Sequence, residues 1–249
     1  MDDMRQVMRE LELALPDMPR QVGETPRAVL VISGHWEEGA FSIISSPHPA
    51  MVYDYAGFPA HTYKVVYPAP GAPELAARVQ GLITDAGLPA RLDRQRGFDH
   101  GTFAPLVVMY PKANVPVIQV SMKTGMDPAE HLALGRALAP LRDEGVLIIG
   151  SGLSYHNLRL FGPQGKGPSQ AFDAWLQATL MASTPAERET RLLDWTSAPS
   201  ARIAHPREDH LIPLMVVVGA AIADRATCVY HEDGIFGGVT ASSFRFDAA

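Results

Sequence analysis

Two uninterrupted apolar runs, Ala28-Val-Leu-Val-Ile-Ser and Val146-Leu-Ile-Ile-Gly, constrain this chain most. A run apolar at every position suits a strand covered on both faces, as in a parallel or mixed sheet. Phe41-Ser-Ile-Ile-Ser, Tyr63-Lys-Val-Val and Val115-Pro-Val-Ile-Gln-Val-Ser read as further strands. Helical patterns lie between them. Pro73 to Ala86 has proline at its start and Gly87 just past its end. Asp127-Pro128 opens a helix to about Arg142 that Gly145 stops, with Asp127 as N-cap. Phe103 to Met109 reads as a short helix, and helical stretches lie near Phe172–Met181, Ala186–Trp195 and His210–Ala223. Gly162 to Pro168 reads as a mobile loop, and Thr227–His231 and Thr240–Phe246 as closing β-segments. Strands alternating with helices predict an α/β fold, with a central mostly parallel or mixed sheet flanked by helices. No repeat or linker breaks the chain, so residues 1–249 are expected to form a single domain.

The chain opens with Met4, Val7, Met8 and Leu11 on one helical face, ended by Pro16 and Pro19. In a doubly wound sheet such a helix usually connects two parallel strands. Here no strand precedes it.

The net charge of −6 argues against nucleic acid as the main partner, since a phosphate binder needs a basic face. One cysteine, Cys228, excludes an intrachain disulfide and reads as a structural thiol. No apolar run approaches the ~20 residues that span a bilayer, and the acidic, then amphipathic N-terminus is not a signal peptide. A cytoplasmic protein without a membrane partner is the expectation, with homo-oligomerisation left open.

Among nine histidines, four sit where chemistry is expected. His35 follows the first apolar run across Gly34, and His156 follows the run at Val146 through Ser151-Gly-Leu-Ser-Tyr. Open α/β sheets bind ligands beyond the carboxyl ends of their strands. His100 lies in Phe-Asp-His-Gly-Thr, and His210 precedes Leu-Ile-Pro-Leu, in the first turn of a helix. Neutral imidazole is the commonest metal ligand and the usual acid/base near neutral pH. His48, His61, His131 and His231 read as background, His131 as solvated; His205 is a secondary candidate for lining the pocket. The chain has no cysteine pair for structural zinc and no Gly-x-Ser-x-Gly elbow. Gly150-Ser-Gly lacks the rest of a dinucleotide fingerprint, so no nucleotide cofactor is expected.

Six segments then occur in order: Val31-Ile-Ser-Gly-His-Trp-Glu, Tyr53-Asp-Tyr-Ala-Gly-Phe-Pro, Tyr67-Pro-Ala-Pro-Gly, Asp99-His-Gly-Thr-Phe-Ala-Pro-Leu, Gly150-Ser-Gly-Leu-Ser-Tyr-His-Asn-Leu and Asp209-His-Leu-Ile-Pro-Leu. Together, from about Ala28 to about Ala223, they resemble the class III extradiol ring-cleavage dioxygenases, in particular the DOPA-dioxygenase-like branch of the LigB superfamily. The resemblance implies a catechol-type substrate, molecular oxygen and non-haem Fe(II), with zinc found in some relatives. It makes His35 and His210 metal ligands. It makes His156 the acid/base that takes and returns a proton, or a third metal ligand, and His100 a pocket residue contacting substrate or oxygen. Tyr53, Tyr55 and Phe58 are expected to wall the substrate pocket with aromatic surface.

In one respect the sequence departs from that family, which begins with a strand ending in a ligand His-Gly. Residue 1 falls just after that motif's place, so the family's first strand and histidine are expected to be missing, Ala28–Ser33 to have an unpaired side, and metal binding to be weak. Two other classes stay open. A non-catalytic metal- or partner-binding protein on this scaffold would bind metal without oxygen uptake. A zinc hydrolase would cleave esters or amides without oxygen.

Overall fold

The computed structural model describes residues 9–247. Its first half runs α1 (Arg9–Ala14), α2 (Met18–Val22), β1 (Ala28–Glu38), β2 (Phe41–Ile44), α3 (Pro73–Asp85), β3 (Ala90–Asp93), α4 (His100–Met109) and β4 (Val117–Lys123). Then follow α5 (Pro128–Leu138), α6 (Pro140–Asp143), β5 (Val146–Ser151), α7 (Lys166–Gln177), α8 (Pro185–Leu193), α9 (Ala201–Ala204), α10 (Ile212–Ala220), β6 (Arg225–Ile235) and β7 (Val239–Asp247). Packing gathers these elements into two compact units. One holds Leu15–Gly152 with Ile212–Ala220; the other holds Leu153–Leu211 with the segments before Leu15 and after Ala220.

The first unit is built on a mixed five-stranded sheet ordered β3-β2-β4-β1-β5, in which only the β2–β4 contact is antiparallel. The apolar run at Ala28 forms β1, whose first six residues are buried, as a strand covered on both faces requires. Its flanks are paired on both sides, Val29 with Val117 and with Leu147, so the expected unpaired side at Ala28–Ser33 is not found. Asp127 caps α5 as expected, accepting from the amides of Ala129 and Glu130. The helix stops at Leu138 and restarts at Pro140, because proline cannot donate within a continuing helix. Gly145 follows at a φ of 77°, a left-handed turn that glycine adopts without steric cost. Helix α10 is apolar all round and packs against α5, β5 and β1.

Tyr63-Lys-Val-Val is not a strand. Thr62–Lys64 is a 3-10 turn. The hydroxyls of Tyr53 and Tyr55 donate to the carbonyls of Val65 and Thr62, both at 2.7 Å, partners a ladder would otherwise supply.

The second unit carries the antiparallel ribbon β6–β7, against which α7 packs. Gly162 to Pro168 is not a loop throughout: Pro163–Gly165 forms a 3-10 turn and Lys166 starts α7. Pro168 falls in the first turn, where its missing donor costs nothing. Of the opening amphipathic face, Met4, Val7 and Met8 lie outside the described residues, and Leu11 lies in α1. No described helix is long and apolar enough to cross a membrane.

Candidate metal centre

In the first unit the site begins with an irregularity in β1. Ile32 pairs with Val120, and the next partners are Glu37 and Met122, so β1 spends more residues than β4 over that stretch. The bulge releases His35 from the ladder with β4, and bulges are a common way to re-aim a side chain. His35 therefore lies within the strand rather than after it.

Helix α4 supplies the neighbouring ring. Its N-cap, Asp99, is fully buried and accepts from the Thr102 amide at 3.2 Å, fixing where the helix starts. The same carboxylate accepts from Ser33 Oγ at 2.8 Å, from the Gln119 side chain and from Arg96 at 3.4 Å. Ser33 Oγ also accepts the His35 amide at 3.2 Å. One buried network thus ties the strand carrying His35 to the helix whose first residue is His100. The two imidazoles lie with centroids 3.9 Å apart.

Asp54 joins them. Its Oδ1 takes the His100 ring Nδ1 at 2.8 Å and the His100 amide at 3.1 Å, and its Oδ2 lies 3.4 Å from His35 Nδ1. Burial pushes the Asp54 carboxyl up, but the His100 hydrogen bonds outweigh it and hold the pKa at about 2. Tyr55 stands edge-on to His100 at 5.3 Å, with Tyr53 and Phe58 packed on Tyr55 at 6.2 and 5.5 Å. The three expected wall residues thus form one aromatic group beside His100.

In the second unit His156 and His210 stack face to face, 3.4 Å apart and 10° from parallel. The His156 amide donates to Ala204 O at 2.9 Å, and the Leu153 amide donates to His210 Nδ1 at 3.2 Å. Asp209 lies 3.9 Å from His156 Nδ1 and accepts the His210 amide at 3.1 Å. Burial lowers the His156 pKa, against the opposing pull of Asp209. A neutral ring suits this stack, since two imidazolium faces at that distance would repel. His210 precedes α10 rather than lying in its first turn. Phe161 stands edge-on to His156 at 6.3 Å and stacks on Phe236 at 4.6 Å.

Each unit therefore presents two histidines and one aspartate whose ligand atoms lie within 4.8 Å of one another. The imidazoles of these sets fit a divalent metal of the non-haem iron or zinc type, with a neighbouring carboxylate able either to ligate it or to orient the rings that do. At His210, Nδ1 already accepts from Leu153, which leaves the proton of the neutral ring on Nε2. A metal held by His210 would have to compete with the Leu153 amide for Nδ1 or meet the other tautomer of the ring, with Nε2 unprotonated.

One background assignment is corrected. His131 is fully buried, not solvated, with Nε2 accepting the Lys123 amide at 3.1 Å and Nδ1 donating to Asp127 O at 2.7 Å. His205 is fully buried and bonds through Nε2 to Ser154 O at 3.0 Å. Sequence reasoning passed over Asp54, Asp99, Asp209 and the Phe161–Phe236 pair. The three aspartates each adjoin a residue it singled out, and that adjacency was the available signal.

The chain matches the model of the catalytic LigB subunit of aromatic ring-opening dioxygenase over residues 6–246. It is 40% identical over 225 residues to a 4,5-DOPA dioxygenase extradiol of Beta vulgaris, covering 89% of this chain and 83% of the relative. It is 35% identical over 200 residues to a 4,5-DOPA dioxygenase extradiol of Escherichia coli K12, covering 78% and 73%. The crystal structure of an uncharacterized protein of Escherichia coli K12 superposes with a TM-score of 0.75 at 28% identity, covering 96% of this chain and 91% of that one. By this match along nearly its whole length, the chain belongs to the LigB family of aromatic ring-opening dioxygenases.

Proposed function

We propose that this chain opens the ring of a catechol-type substrate with molecular oxygen, cleaving beside the diol, at a non-haem metal that is Fe(II), with zinc as the alternative. The observation that carries this reading is that all four histidines of the motif string fall in the two clusters of metal-ligand groups. We assign His35 and His210 as metal ligands and His156 as the proton acceptor, able to serve as a third ligand. A cytoplasmic setting remains our reading of the single cysteine.

His35 and His210 would hold the metal, which would supply the positive charge that makes a catechol hydroxyl easier to deprotonate. The rest falls to side chains. His156, kept neutral by burial, accepts the second hydroxyl proton on a ring nitrogen. Asp209 then stabilises the imidazolium, and such acid/base groups contribute ~10²–10⁴-fold. Tyr53 and Tyr55 already spend their hydroxyls on backbone carbonyls, so they offer the substrate ring apolar faces.

The test is anaerobic loading with Fe(II) or Zn(II), followed by measurement of bound metal and catechol-dependent oxygen uptake. His35→Ala and His210→Ala should each lose at least the ~10–100-fold in metal affinity typical of losing a ligand's supporting partner. His156→Ala should lose turnover of the order expected for an acid/base group. Metal binding without oxygen uptake on any catechol would instead favour a binding protein, and oxygen-independent ester cleavage a zinc hydrolase.

A further inference from the structure

Asp54 is placed differently from a ligand. A carboxylate oxygen 2.8 Å from an imidazole nitrogen is hydrogen-bonded to it, so Oδ1 faces the Nδ1–H of His100 rather than a cation. The His100 amide donates to the same oxygen, so backbone and ring are clamped together. The other oxygen faces Nδ1 of His35. Metal-binding histidines characteristically donate their second ring N–H to such a carboxylate, which fixes tautomer and ring orientation.

We propose that Asp54 is the positioning carboxylate of this site, a single side chain that takes the Nδ1–H of His100 on one oxygen and turns the other towards Nδ1 of His35 at 3.4 Å, favouring the Nδ1–H form of both rings and so keeping their Nε2 atoms as lone-pair donors for a divalent metal or the oxygen-bearing groups around it. This rests on the reading of the site as metal-binding. It adds that the two rings are set by one shared group supplied by the loop after β2. Tyr55, the next residue, packs its ring on His100 from the side, so the same loop both orients the imidazole and walls it.

Asp54→Asn separates this role from general stability. Its amide has nearly the same shape, but one end becomes a donor. That end can no longer accept an Nδ1–H, so at least one ring is driven to the Nε2–H form. Long-range ¹H–¹⁵N correlation spectra of the metal-free protein should show Nδ1–H tautomers for His35 and His100 in the wild type. In Asp54→Asn at least one should switch, and Fe(II) or Zn(II) affinity should fall ~10–100-fold. Asp54→Glu, which keeps the carboxylate, should retain the Nδ1–H form and most of the affinity. Wild-type rings in the Nε2–H form, or tautomers and affinity unchanged in Asp54→Asn, would overturn the proposal. A wild type that binds no metal would overturn the functional reading instead, while the tautomer measurement would still decide the role of Asp54.

Discussion

His205 shows how burial sets the chemistry of a single side chain. It is walled by Phe172 at 5.1 Å and Trp195 at 6.2 Å, and its Nε2–H is satisfied by Ser154 O. Burial drives its pKa from 6.5 to about 4, against the opposing effect of the Ser154 bond. The folded pKa is thus depressed. Above pH 6.5 neither folded nor unfolded chain holds the proton, and the stabilisation is complete. As pH falls from 6.5 towards 4 the unfolded chain takes the proton first, and stability is lost. At pH 4.5 the loss from this one ring is about 2–3 kcal/mol by the linkage relation. Urea unfolding at pH 7.5 and 4.5 checks this: His205→Gln should show a pH slope shallower by that amount. An equal slope would mean that the folded ring protonates freely.

At the scale of elements, two close approaches are met by glycine. A Cβ on Gly101 would stand 2.2 Å from Ser33 Oγ and 3.0 Å from the His35 ring, so the first turn of α4 reaches β1 only without a side chain there. A Cβ on Gly135 would stand 2.1 Å from Val216 O, and one on Gly219 would stand 2.2 Å from Leu132 O, so α5 and α10 touch backbone to backbone. Alanine at any of the three should cost ~1–3 kcal/mol, the usual range for overpacking. Chemical denaturation reads the cost at all three. Bound metal separates them, because only Gly101→Ala moves the histidine-bearing turn. Equal metal loss in Gly135→Ala would show that the site senses general destabilisation.

What was legible in the sequence divides along the same lines. β1, β2 and β5 announce themselves by apolar runs, and α5 by its Asp-Pro start, because those signals are local. At the strand expected from Tyr63, the Val65 carbonyl and the Thr62 carbonyl just before the run accept tyrosine hydroxyls 12 and 7 residues away in sequence instead of ladder partners. The bulge at His35 leaves no periodic trace, and Asp54 and Asp99 bond partners 46 and 66 residues distant. Their roles exist only once the sheet brings those segments together. The four histidines were legible individually; that they divide into two pairs, each beside an aspartate, was not.

For the whole molecule, chain topology matters more than any one contact. The chain leaves the first unit at Gly152, builds much of the second, and returns with Ile212–Ala220 before finishing the second. The returning helix α10 is almost wholly buried and packs against α5, β5 and β1. Leu132 and Leu134 of α5 are completely buried, and losing such contacts costs ~1.5–3 kcal/mol per side chain. That is a large fraction of a domain's net stability. The first unit is therefore encoded by two separated segments, and its sheet is incomplete in packing until the later one arrives. A fragment ending at Gly152 should keep its strands but expose this apolar face, binding a hydrophobic dye and melting without a cooperative transition. Joining residues 15–152 to residues 212–220 through a short Gly/Ser linker should restore cooperative melting and abolish dye binding. If the shorter fragment already melts cooperatively and leaves the dye unbound, α10 is an accessory to the sheet rather than part of its core.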